Sequence, residues 1–430
     1  MATVVLVGTL DTKAPEYAFL RRRVREAGCE VIVVDAGVTS TASEAEGDAD
    51  AVARAAGVDR AKLAAAGDRG SAVAAMTLGA TEIVRRLHAE GRLDGILGVG
   101  GSGGSSLVSA AMQALPLGVP KMLVSTMASG DTRPYVGTSD ITMAHAVVDL
   151  AGINRVSERV LANAAAAIAA MTRAAVAFES SLPARPVVAA TMYGNTTPCV
   201  TRARTLLEDR GYEVLVFHAN GSGGRAMEAL IREGLIDGVL DVTTTELADE
   251  LVGGVCSAGP ERLEAAGELG LPQVVSLGAL DMVNFGPIDT VPPAFRDRNL
   301  YRHNAAVTLM RTTAEECAEI GRTLARKLNA ATGPLAVFIP AGGLSMVGAP
   351  DRPFRDPIAD AILIRELKAS LRPDVEVVEM TTDINDPVFA EAMAERFDEL
   401  YRASARRRPA ERREEVHDGR RITTAASAAH

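Results

Sequence analysis

A set of residues recurs along the chain in one order and at nearly constant spacing. At an offset of 183, Val4, Val5, Pro15, Arg21, Gly28, Glu30, Val31, Val33 and Ala36 meet identical residues. At an offset of 143, the run Gly91-Arg92-Leu93-Asp94-Gly95-Ile96-Leu97-Gly98-Val99 matches Gly234-Leu235-Ile236-Asp237-Gly238-Val239-Leu240-Asp241-Val242. Leu117-Gly118-Val119-Pro120 then matches Leu269-Gly270-Leu271-Pro272. Three collinear matches imply two copies of one structural unit. Within each copy the apolar runs, such as Val4 to Val7 and Val31 to Val34, are short and continuous, not alternating. Such runs mark strands covered on both faces, hence a parallel sheet with right-handed helical crossovers. The expected class is α/β: two Rossmann-like domains from an internal duplication, each a parallel sheet flanked by helices.

The spacing places the first domain at 1–180 and the second at 181–401. The offset falls because the first copy carries an Ala-, Asp- and Glu-rich insertion at 37–79, a candidate lid or dimer arm. The Ala-rich stretch 143–178 reads as a helix or helix pair bridging the domains. Further strands are expected at 335–340 and 375–380, with a helix at 358–371. From 402 to 430 there is no apolar periodicity, which reads as a disordered basic tail.

Composition narrows the function classes. The formal net charge is −10, and residues after Tyr401 carry eight Arg against four acidic groups, so the body is more acidic still. An acidic body with 3% aromatics and no Trp disfavours nucleic acid and anionic membrane as partners. Cys29, Cys199, Cys256 and Cys317 are widely spaced and form no zinc or disulfide pattern. The start lacks a charged leader, and no uninterrupted apolar run reaches membrane-spanning length, so a cytoplasmic location is expected.

The sharpest local motif is Gly98-Val99-Gly100-Gly101-Ser102-Gly103-Gly104-Ser105-Ser106, between an expected strand and a helix from Leu107. That arrangement aims free backbone N–H groups and a helix dipole at an anion such as phosphate. Gly98-x-Gly100-x-x-Gly103 formally matches a dinucleotide fingerprint, but on the third strand of its unit and not the first. The plainer alternative is that the glycines allow tight packing of strand on helix.

Two more strand ends should converge on that loop. Thr9, Asp11, Thr12 and Lys13 follow the first strand; Ser125, Thr126 and Asp131 follow the fourth. Lys13 is a candidate phosphate partner, and Asp11 and Asp131 are candidates to hold Mg²⁺ through water. Ordinary Asx or Ser/Thr turns are the alternative at each. The second copy has Asp241-Val242-Thr243-Thr244-Thr245-Glu246 where the first has glycines, which implies that its nest is lost. Asn195, Asn284 and Asn304 are candidate substrate contacts there, and His303 beside Arg302 is a candidate proton donor with an adjacent cation, with a solvent-exposed or helix-capping histidine as the plainer alternative.

These motifs, with Gly118-Val119-Pro120-Lys121, Asp149-x-Ala151-Gly152-x-Asn154, Asp281 to Pro287, Tyr301-x-His303-Asn304 and Pro340-x-Gly342-Gly343-x-Ser345, resemble one family. It is the ATP-binding family similar to the amino-terminal domain of the plant tobamovirus-resistance protein, with bacterial members, and the resemblance runs from about residue 3 to about residue 400. It implies ATP, Mg²⁺, two Rossmann-like domains and a homodimer. Plant members continue into a barrel similar to phosphoenolpyruvate hydrolases, so a separately encoded barrel partner is an expectation here. The leading function is an ATP-dependent enzyme or subunit acting on a small metabolite held between the domains. Alternatives are a non-catalytic ATP-dependent regulator and, more weakly, an NAD(P) oxidoreductase.

Overall fold

The structure, a computed structural model, describes residues 1–41 and 47–407. The chain divides into two units between Ser181 and Leu182.

The first unit runs β1 (Thr3–Gly8), α1 (Leu10–Glu26), β2 (Glu30–Asp35), α2 (Ala49–Ala55), α3 (Arg60–Ala66), α4 (Arg69–Ala89), β3 (Gly95–Gly100) and α5 (Ser102–Gln113). It continues through β4 (Lys121–Ser125), α6 (Arg133–Val136), β5 (Thr142–His145) and α7 (Arg155–Val176). The five strands pair in the order β2-β1-β3-β4-β5, all parallel. Successive residues of one strand point to opposite faces. Val5 and Val7 therefore pack with Met76, Ile83 and Val108 of α4 and α5, while Val4 and Leu6 pack with Leu20 of α1 and Leu161 and Ile168 of α7. Both faces are covered, which is why the strand runs are continuously apolar.

Two readings of this unit need correction. Residues 143–145, the expected start of a helix, belong to the edge strand β5, and α7 is a single helix packed into the first unit's own core. Among the described residues α7 is the one helix long and apolar enough to cross a membrane, but Leu161, Ala164, Ala165, Ile168 and Ala169 on one face are buried in that core. The helix after the glycines begins at Ser102, so Gly103 to Ser106 are its first turn. Of the expected insertion at 37–79, residues 42–46 lie outside the described residues; α2, α3 and the start of α4 lie within the rest.

The second unit begins β6 (Val187–Met192), α8 (Thr197–Asp209), β7 (Glu213–His218), α9 (Ser222–Arg232), β8 (Gly238–Thr243), α10 (Glu246–Val252), α11 (Ala265–Glu268) and β9 (Gln273–Gly278). It continues with β10 (Met282–Phe285), β11 (Leu300–Arg302), β12 (Thr308–Arg311), α12 (Ala314–Asn329), β13 (Leu335–Pro340), α13 (Pro357–Ser370), β14 (Glu376–Met380) and α14 (Pro387–Arg407). Its main sheet is parallel in the order β14-β13-β9-β8-β6-β7. Counted from its own first strand this is 2-1-3-4-5-6, the first unit's order with one strand added. β10, β12 and β11 form a separate antiparallel sheet. The last helix extends to Arg407, so residues 402–407 of the expected tail are helical; the remainder of that tail lies outside the described residues.

Candidate functional site

In an open parallel sheet, ligands bind beyond the carboxyl ends of the strands, where the strand order reverses. In the order 2-1-3-4-5 that point lies between the first and third strands. The first unit has a cleft of about 520 Å³ there, in the range of small-molecule sites. Its lining includes Thr9, Asp11, Thr12 and Lys13 after β1, and Gly100, Gly101, Ser102, Gly103 and Gly104 after β3. The two strand ends are joined beneath it by Tyr17, whose hydroxyl donates to the carbonyl of Val7 and accepts the N–H of Val99 at 3.0 Å. Gly8 is required by this joint: a Cβ there would lie 1.8 Å from the Tyr17 hydroxyl. Burial drives the Tyr17 pKa upward, keeping the bridging proton in place.

The glycine loop divides into two functions. At Gly98 a Cβ would come within 2.4 Å of Val108, and at Gly100 within 2.7 Å of the backbone of Gly104 and Ser105. Those two are packing glycines. At Gly103 a Cβ would meet nothing within 4 Å, at Gly101 only Thr126 at 3.7 Å, and at Gly104 only the carbonyl of Val99 at 3.6 Å. No neighbour demands glycine at these three. They open the first turn of α5, and its N-cap, Gly101, has no side chain to satisfy the free N–H groups.

The turn after β1 is shaped by Pro15, which cannot donate an N–H to residue 11. Lys13 accordingly leaves helical geometry (φ −130°, ψ 21°) and its ammonium donates to the carbonyl of Leu150. Asp11 accepts the N–H of Thr39 at 3.2 Å and its hydroxyl at 3.1 Å, tying the β1 turn to the loop after β2. Asp35, fully buried at the end of β2, accepts N–H groups of Leu10 at 3.0 Å and Gly37 at 2.9 Å. The rest of the lining is largely apolar: Ala36, Val38, Leu63, Ala64, Ala72, Val73 and Leu107.

Other expected residues fall outside this lining. Ser105 and Ser125 are fully buried and bonded to each other at 2.6 Å, fastening α5 to the end of β4. Ser106 donates back to the carbonyl of Ser102 at 3.0 Å, as a helical serine does, and Thr126 lies just past β4. Asp131 is held bidentate by Arg133, at 2.9 and 2.8 Å, and that partner lowers its pKa to about 2. It is not among the residues lining the cleft. Asp149, read only as part of a motif, does line it.

The second unit departs from the reading of a lost nest. Gly221-Ser222-Gly223-Gly224 repeats the tetrapeptide at 101–104 and likewise opens a helix, α9, but after the second strand of the unit. Its N–H groups are already engaged. Glu246 Oε1 accepts from Gly221 at 2.7 Å and Gly224 at 3.1 Å. A Cβ at Gly224 would lie 2.2 Å from Glu246 Oε2, so glycine is needed there to admit the carboxylate. Arg262, fully buried, donates to Glu246 Oε2 at 2.6 Å and to both oxygens of Asp241 at 2.6 and 2.8 Å. The recurring Gly-Ser-Gly-Gly was the available signal, hidden from fixed-offset comparison because it follows a different strand.

Asn284 is fully buried, donating to Asp249 Oδ2 at 2.7 Å, and Asn195 donates to Met282 Sδ at 3.5 Å. Burial, with Glu246 nearby, raises the Asp249 pKa to about 7. Arg302, His303 and Asn304 sit instead at the exposed tip of the β11–β12 hairpin. The Asn304 side chain accepts the N–H of Ala306 at 2.8 Å, a local turn bond. The structure thus does not gather His303 and Arg302 with the buried asparagines.

Comparison with known proteins gives a consistent relationship. Residues 2–177 match the N-terminal domain, and residues 185–401 the C-terminal domain, of an uncharacterised protein family, UPF0261. A UPF0261 protein of Clostridium tetani is 51% identical over 396 residues, covering 92% of this chain and 98% of that protein. One from Rhizobium meliloti is 46% identical over 394 residues, covering 91% and 97%. The ToMV resistance protein Tm-1(GCR237) of Solanum lycopersicum is 42% identical over 418 residues, covering 92% of this chain and 55% of that protein. Among solved structures, MurG of Acinetobacter baumannii aligns over 93% of this chain and all of that one at 12% identity, with a TM-score of 0.21.

Proposed function

The chain belongs to the UPF0261 family, and from that premise we propose that its first unit binds ATP with Mg²⁺ and serves an ATP-dependent enzyme, or enzyme subunit, acting on a small metabolite. The observation that carries this reading is the group Gly101, Gly103 and Gly104. Nothing in the fold needs glycine there, whereas a phosphate lying against the N–H groups of α5 does. The apolar wall from Val38 to Val73 suits the base, and the hydroxyls of Thr9, Thr12 and Ser102 suit the phosphates or ribose. Asp11, Asp68 and Asp149 also line the cleft, a charge balance that favours a nucleotide bound with its cation. Asp11 or Asp149 would hold Mg²⁺ through water. The strand order common to both units supports an origin by duplication.

The NAD(P) reading is weaker, because two of its three fingerprint glycines, Gly98 and Gly100, are accounted for by packing. A non-catalytic ATP-dependent regulator is the second reading, favoured by the exposure of His303 and Arg302 on a hairpin tip. We also propose a cytoplasmic homodimer, working with a separately encoded phosphoenolpyruvate-hydrolase-like barrel. Light scattering and affinity capture with that barrel test the assembly.

The nucleotide reading is tested by calorimetric titration with ATP, ADP and NAD, each with and without Mg²⁺, on the parent and Gly103→Val. Binding of ATP by the parent and its loss in the variant are expected. Heat from NAD alone, or none from any nucleotide, would overturn the proposal. ATP consumption in the presence of a metabolite pool separates enzyme from regulator.

A further inference from the structure

We infer that Arg69, carried on a lid made of α3 and the first turn of α4, binds the terminal phosphate of a nucleoside triphosphate in the first-unit cleft; this rests on the nucleotide reading above. Two observations lead there. The first is the state of the cleft's cations. Lys13 and Arg69 both line it, and Lys13 is committed to the carbonyl of Leu150. Arg69 is exposed and, among the described residues, has no carboxylate or carbonyl partner. Its neighbour Asp68 does not neutralise it by pairing: that carboxylate caps α4 through the N–H groups of Gly70 at 3.0 Å and Ser71 at 3.4 Å and the hydroxyl of Ser71. A cation in the first turn also faces the positive end of the helix dipole, an arrangement favourable only when an anion joins them. An uncommitted guanidinium on the wall of a cleft that holds an open nest is a fork for phosphate oxygens.

The second observation is how lightly α3 is attached. None of its seven residues is buried. It is held by the Asp59 cap, by Leu63, half-buried against the first unit's core, and by Arg60, which donates to Asp50 at 2.7 and 3.1 Å and to the carbonyls of Val38 and Ser40 at 3.2 and 2.7 Å. Leu63 and Ala64 nonetheless face the cleft. A segment with no fully buried residue moves at low cost, and closing it over a ligand would complete the burial of Leu63 and bring Arg69 inward. The nest then holds the inner phosphates and Arg69 the outermost one, which makes Arg69 the residue that distinguishes a triphosphate from shorter nucleotides.

The test titrates MgATP, MgADP and AMP into the parent, Arg69→Ala and Arg69→Lys, with unfolding midpoints to verify that each variant folds. Arg69→Ala should bind MgATP about tenfold or more weakly while AMP affinity stays within about twofold, and Arg69→Lys should recover part of the loss. Hydrogen exchange across 60–72 should slow on MgATP addition in the parent and much less in Arg69→Ala. If the parent binds MgATP and Arg69→Ala keeps the same preference over AMP, this inference is overturned and the nucleotide site stands. If the parent binds no nucleotide, the site reading fails and takes this inference with it.

Discussion

The carboxylate of Glu246 accepts the backbone N–H of Gly221 at 2.7 Å, filling the N-terminus of α9 with an anion that the chain itself supplies. Gly101-Ser102-Gly103-Gly104 begins α5 in the same sequence, but among the described residues no carboxylate occupies it. Two identical tetrapeptides thus end in opposite states, one plugged and locked to Arg262, the other open to a cleft. The contrast makes the first unit the place to look for an external anion, and it bears directly on what substitutions should do.

Glu246→Ala should destabilise the second unit strongly. It strips Arg262 of one of its buried partners and leaves two N–H groups without an acceptor. Breaking a buried, hydrogen-bonded ion pair from one side costs about 3–5 kcal/mol. Urea unfolding should show this drop, and millimolar formate should restore part of it by occupying the vacated carboxylate position; a variant as stable as the parent would refute the role of Glu246.

Gly103→Ala and Gly100→Ala should separate stability from binding. Position 103 is helical with open space around it, so alanine should stabilise by roughly 0.5–1 kcal/mol while lowering nucleotide affinity. At position 100 the new Cβ would sit 2.7 Å from the backbone of α5, and the same change should destabilise. Thermal unfolding and calorimetric titration of both variants check the opposite signs.

Tyr17→Phe keeps the ring but removes the hydroxyl that joins β1 to β3. It leaves the buried N–H of Val99 without its partner, at a cost of about 1–3 kcal/mol. The expected result is a lower unfolding midpoint with the sheet intact by circular dichroism.

Asp249 should make stability pH-dependent in a direction unlike that of ordinary surface carboxylates. Burial raises its folded pKa from 3.8 to about 7, so the folded state holds a proton that the unfolded state has released. Stability therefore falls as pH rises between about 4 and about 7, on the order of 4 kcal/mol from this group, and is flat above. Asp249→Asn should flatten the slope. Asn284, whose buried Oδ1 has no partner among the described residues, can turn its amide to receive the new side chain. Urea midpoints at pH 4.5, 6 and 7.5 for parent and variant give the comparison.

Much of the fold was legible because its cause is local or periodic. Val4 to Val7 and Val31 to Val34 are continuously apolar since helices cover both faces, and that signal survives without any knowledge of neighbours. Residues 143–145 carry no strand signal, because Thr142-Met143-Ala144-His145 has no strand periodicity; its β conformation comes from pairing with β4 along an edge. For the candidate site, the placement of Gly101 to Gly104 and of Thr9, Asp11, Thr12 and Lys13 around one cleft follows from a strand-glycine-helix transition and a strand end that are written in order along the chain. In sequence Asp131 and Ser125 look the same, since all follow strands in hydroxyl- and carboxylate-rich turns. Only the partners, Arg133 for one and Ser105 for the other, withdraw them from the cleft.

By itself, then, the sequence determined that the chain forms parallel sheets between helices and that glycines stand where a strand gives way to a helix, because apolar burial and backbone freedom are properties of short segments. The tertiary structure decided which of those glycines pack, which face a ligand, and which are stopped by a carboxylate. Val108 against Gly98, the open space at Gly103, and Glu246 against Gly224 are relations between residues that only the sheet order brings together. Occupancy of a backbone N–H depends on what arrives from elsewhere in the chain, and no local pattern records it.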